Sequence, residues 1–202
     1  MGKEIRNEEI GLVEDRTIVS KTDPKGIIEY TNDYFEEVCG YSKEELLGKA
    51  HNIIRHPDMP KIIFKVLWDE LIKGNDIRVV IKNLAKDGRY YWVITNFFTV
   101  YDDKGNITGY YARRKAVPKH VKVIIEDLYQ KLLIIENEAG MEVAGEYLKN
   151  YLNNYKTNLQ GFVEYLFGKD KELIEKYLKQ EVSDKDILAY EKKLNFKKKL
   201  TK

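Results

Sequence analysis

Cysteine is nearly absent. Cys39 stands alone in 202 residues, so no disulfide can close within the chain, and that suits a reducing compartment. Long apolar runs are missing too. No stretch approaches the ~20 apolar residues of a membrane-spanning helix, and the first residues, MGKEIRNEEIGLVED, hold no signal-peptide core. The expected location is the cytoplasm, with no direct membrane insertion and any membrane connection made through a partner. Charge of one sign is lacking as well. The 35 Lys and Arg against 33 Asp and Glu leave a net +2, which removes the electrostatic case for nucleic acid. The lysine-rich end, KKLNFKKKLTK, is the exception and reads as a solvated terminus. Histidine is scarce. His51, His56 and His120 show no metal-ligand spacing, no nucleophile–base–orienter set is present, and no glycine loop cradles a phosphate. The residues give no enzyme.

What is present is a globular composition, 43% hydrophobic and 34% charged, long enough for one domain plus an extension. Residues 1–14 read as an arm or short helix. RTIVSK (16–21) and residues 27–31 read as two strands of a hairpin around TDPKG. Asn32 or Thr31 caps a short helix that ends at Gly40. Ser42 and Glu45 form a capping box for another that stops at Gly48. Apolar residues at helical spacing, among them Ile63, Val66, Leu67 and Leu71, predict a longer helix over 60–74. The period then changes to that of strands at 76–84, 89–101 and 107–116, broken by the turn signals KDG and DDKGN. These elements make an α+β domain: a five-stranded antiparallel sheet with short helices on one face. Pro118 marks a boundary. Beyond it the pattern is helical, with candidates at 119–138, 140–155, 157–167, 170–180 and 183–193. Tyrosines are frequent there and suit either an interaction surface or the cover of a small bundle.

The densest chemistry lies in HNIIRHPDMP (51–60). Pro57 and Pro60 stiffen the loop. Pro60 is placed to open the following helix, with Asp58 near that helix's positive end. Arg55 and the two histidines crowd beside apolar Ile53, Ile54 and Met59, as at the mouth of a pocket. Asn32, the loop residues His51, Asn52, Arg55, His56 and Asp58, and the strand residues Asn83 and Asn96 are expected to converge on the helix-covered face. Trp68 and Trp92 would add aromatic walls. Amides, an arginine and aromatic walls suit a flat heterocycle carrying phosphate. Trp68 and Trp92 also have a plain reading as core, and Arg55 as the partner of Asp58. Cys39 reads as a small buried side chain.

TDPKGIIEYTNDYFEEVCGYSKEELLGKAHNIIRHPDMP, followed by LWDELIKG, IKNLAKDGRYYWV and GYYARRKA, resembles the PAS domain of bacterial aerotaxis and energy-taxis receptors. The likeness covers residues 15–117, with 118–202 a helical region beyond it. The resemblance implies a PAS fold and a non-covalent FAD whose redox state is the signal. It points to Asn32, Arg55, His56, Asp58, Trp68 and Asn83 as cofactor contacts. It also implies a homodimer and a separate, membrane-anchored transducer of the methyl-accepting type that lacks its own sensor. Ile77 and Val79 depart from the Trp and Gly frequent in that family. Two other occupancies of a PAS pocket stay open: haem, with His56 as ligand, and no cofactor at all, in a docking or dimerisation module. The Asn-Cys-Arg-Phe run of photoactive flavin domains is absent.

Overall fold

A computed structural model describes residues 4–168. The helical candidates at 170–180 and 183–193 and the lysine-rich end lie outside the described residues. Five strands form one antiparallel sheet: β1 (Ile18–Thr22), β2 (Ile28–Thr31), β3 (Ile77–Leu84), β4 (Tyr90–Tyr101) and β5 (Ile107–Ala116), in the order β2-β1-β5-β4-β3. The last strand is therefore the central one. The β1–β2 turn is held by Asp23, whose Oδ1 accepts from the backbone N–H of Lys25 and of Ile27. Strand period sorts the side chains. Ser20, Val79, Ile81, Asn83, Val93, Thr95, Phe97, Ala112 and Arg114 share one face by their register, in which Thr95 pairs with Arg114 and Phe97 with Ala112.

Three helices cover that inner face. α1 (Asp33–Cys39) is capped by Asn32, whose Oδ1 accepts from Phe35 N and also from Val19 N of β1. One side chain thus starts the helix and ties it to the sheet. Gly40 ends α1 at φ +71, a left-handed conformation that suits glycine. α2 (Lys43–Leu46) carries the expected capping box. A short 3-10 helix at His51–Ile54 leads to α3 (Lys61–Ile72).

The later helices turn to the β3 edge and the opposite face. They are α4 (Lys119–Ala139), α5 (Met141–Asn153) and α6 (Leu159–Gly168). The Tyr129 hydroxyl of α4 donates to Val80 O at 2.8 Å, and its ring lies 6.2 Å from that of Trp92. Gln160 of α6 accepts from Arg78 N. The otherwise open edge of β3 is thereby closed. Glu136 of α4 reaches α3, where its two carboxylate oxygens accept from Lys61 N (2.9 Å) and Ile62 N (2.7 Å). The carboxylate at the positive end of α3 is thus Glu136, not Asp58. Residues 4–13 form no helix. They run as an extended arm bonded to Gly88 and Tyr90, with Glu9 paired to Lys122 of α4.

Candidate functional site

A cavity of about 420 Å3 opens between the inner face of the sheet, the 3-10 helix and α3. That volume is within the usual range for small-molecule sites, roughly 300–1,000 Å3. Phe64, Leu67 and Trp68 of α3 form one wall, and Ile81 and Phe97 of the sheet the other. Gly26 is needed beside Trp68. It sits at φ +81, and a Cβ there would lie 3.2 Å from the indole.

Arg114 lies at the deep end. It is 2% exposed, and its partners are neutral. Nη1 donates to Ser20 Oγ at 2.9 Å, and Nη2 donates to His51 Nε2 at 2.9 Å. Ser20 Oγ is itself 3.1 Å from His51 Nε2. With Nε2 accepting, the imidazole carries its proton on Nδ1. Burial, then the neighbouring guanidinium, pushes the His51 pKa down to about 3. Burial also lowers that of Arg114 to about 10, which leaves it a cation at neutral pH. The Phe35 and Phe97 rings lie 5.6 and 5.9 Å from its guanidinium carbon. Thr95, its cross-strand neighbour, has an Oγ1 that makes no hydrogen bond.

The mouth is cationic as well. Arg55 lays its guanidinium 3.9 Å over the Phe64 ring, and Lys25, Lys65 and Asn52 surround the opening. Four cations, Lys25, Arg55, Lys65 and Arg114, line the cavity together with a neutral histidine, and no carboxylate lines it. Such a surface is chemically suited to an anionic, ring-bearing molecule with its flat part between apolar walls.

The expected site residues divide. His51, Asn52, Arg55, Trp68 and Asn83 line the cavity. Asn32, His56, Asp58, Trp92 and Asn96 do not. Asn32 spends its amide on the cap and on Thr17 O. Trp92 and Asn96 have the opposite strand phase and point to the other face, Trp92 against Tyr129 and Asn96 accepting from Arg78 Nε at 2.5 Å. His56 is buried with its ring edge-on to Tyr90, and Nδ1 accepts from Asp58 N. Burial, then Lys82, pushes its pKa down to about 4, against the pull of Asp58. Asp58 pairs with Lys82 at 2.8 Å rather than with Arg55. Ile77 and Val79 are buried in the core and do not line the cavity. Cys39 is fully buried and lies outside it too.

Arg114 is the residue that the sequence reading left out. Its signal is the phase of β5: Tyr110, Ala112 and Arg114 alternate with Tyr111, Arg113 and Lys115. One of the two arginines must therefore face inward. Phe64 and Phe97 were legible as apolar but not as cavity walls.

The sheet order and the short helices on one face define a PAS fold. Residues 28–112 match the family model described as PAS fold. Over 121 residues, 60% of this chain, the sequence is 39% identical to the aerotaxis receptor of Escherichia coli strain K12. It is 32% identical over 94 residues to the bacterioopsin transcriptional activator of Halobacterium salinarum. The matches span 24% and 14% of those two proteins, so the chain corresponds to a small part of each. Among solved structures, a light-oxygen-voltage domain described with a flavin analogue superposes with a TM-score of 0.51 at 23% identity, covering 56% of this chain and 87% of that one. At that identity the likeness is one of fold. Among the described residues, no helix is long and apolar enough to cross a membrane.

Proposed function

We propose that this protein is a redox or oxygen sensor that holds a flavin, FAD, in the cavity between α3 and the sheet. The division into an arm at 1–14, a sensor at 15–117 and a helical C-terminal region at 118–202 belongs to the same reading. The observation that carries it is the charge of the lining: four cations and no carboxylate around apolar and aromatic walls. Phe64, Trp68 and Phe97 would flank a flat ring. Asn52 and Asn83 offer amides that both give and accept. Arg55, Lys25 and Lys65 suit phosphate at the mouth. Arg114, with no acid beside it, offers its remaining N–H donors to acceptor atoms at the deep end. The likeness to an aerotaxis receptor supports the sensory reading. When bound, the flavin supplies reversible electron uptake. The chain's own residues do the rest. His51 stays neutral and keeps Arg114 aimed inward. α3 carries the cavity wall, and its first turn is bonded to Glu136 of α4. A shift of α3 is thus passed to α4–α6, where a separate transducer, such as a membrane-anchored chemotaxis protein, would read it. Haem at His56 is disfavoured because that ring lies outside the cavity.

An absorption spectrum of the purified protein, with acid release of whatever is bound, tests the reading. Bands near ~450 and ~370 nm that bleach with dithionite, and FAD in the extract, are expected. A colourless protein that takes up no added FAD would overturn the reading.

A further inference from the structure

Arg114 is a buried guanidinium with only neutral hydrogen-bond partners. Ser20 Oγ and His51 Nε2 accept two of its five N–H bonds, and among the described residues no carboxylate pairs with it. The contrast with Lys82, also buried, is direct, because Lys82 has Asp58 at 2.8 Å. A buried cation is normally paired, and His51, the titratable group beside it, cannot supply a negative charge. The side chain faces a cavity that Lys25 and Arg55 also line, and Lys65 lines it too, with its ammonium paired to Asp69.

We propose that the deep end of the cavity is an anion site centred on Arg114, and that the group lodged there carries a negative charge. His51 and Ser20 orient the guanidinium and leave its remaining donors to the ligand. The inference does not need the flavin reading, since a small monoanion of planar shape satisfies it. The charge belongs either to part of a bound cofactor or to a separate small anion.

Nitrate is the probe. Titrated into the flavin-free full chain in a buffer of non-binding anions, it is expected to raise the melting temperature saturably. Arg114→Met should abolish the saturable part and Arg114→Lys should keep most of it. Lys82→Met should leave it intact. Equal shifts in wild type and Arg114→Met would overturn the site, as would loss in Lys82→Met alone. Should Arg114→Met fail to fold, chlorine NMR on the wild type serves instead. Broadening of the chloride line that nitrate reverses supports the site, and no excess broadening overturns it. Competition between nitrate and FAD assigns the charge to the cofactor, whereas simultaneous binding assigns it to a separate anion; either supports the site. Nitrate binding without any FAD binding would sink the flavin reading and leave this one standing.

Discussion

The two halves of one ten-residue stretch end on different sides of the same strand. His51, Asn52 and Arg55 turn to the cavity, while His56, Asp58 and Met59 turn to the edge of β3. Both histidines are kept neutral by burial with a nearby cation, Arg114 for one and Lys82 for the other. The chemistry is nearly the same and the roles differ. Lys82 finds Asp58 and is satisfied within the protein, whereas Arg114 finds no acid and faces the cavity. Which groups are left over for a ligand is thus decided by pairing and strand phase, not by residue type.

Substitutions at Arg114 and His56 break the comparison most sharply. Arg114→Met should weaken FAD binding by roughly a hundredfold, the scale of a lost charge-assisted pair. His56→Gln should leave the affinity of the folded protein within about threefold of wild type, since its ring is not in the cavity. Titration of each variant by flavin fluorescence, with folding checked by circular dichroism, reads both. Next comes the link between the cavity wall and the later helices. Glu136→Ala removes the carboxylate from two N–H groups of α3 and should cost roughly 1–2 kcal/mol in denaturant unfolding. Asn32→Ala should cost about 1 kcal/mol, with FAD affinity unchanged, because its bonds go to the α1 cap and β1.

Acid gives the broadest effect. His51 and His56 have folded pKa values near 3 and 4, below the ordinary value near 6.5 of the unfolded chain. The unfolded state therefore binds more protons in this range. Stability is fully present above about pH 6.5 and falls as pH drops through 4 toward 3. His56→Gln should flatten that fall by about one proton's worth of slope, measured as unfolding free energy against pH.

The fold was legible because its signals are local. The β-rich runs at 76–84, 89–101 and 107–116, the Ser42–Glu45 box and the Gly40 stop each mark an element without reference to the rest. The cavity was half legible. His51, Asn52, Arg55, Trp68 and Asn83 were found from their types and neighbours. Trp92 and Asn96 were misplaced because alternation gives two faces but not which one the helices cover. Glu136 as the cap of α3 was out of reach, since 74 residues separate it from Ile62. Arg114 needed the register of β5 against β1 and β4, which follows only once the sheet order is known.

Hydrogen exchange of the wild-type chain, with and without saturating FAD, asks directly which side of β3 holds the ligand. Protection is expected at the amides of His51–Arg55 and Phe64–Trp68, with little change at Asp58–Met59 or along 126–134. Protection confined to Asp58–Met59 and 126–134, with none at His51–Arg55, would contradict the assignment of the site to the Arg114 cavity.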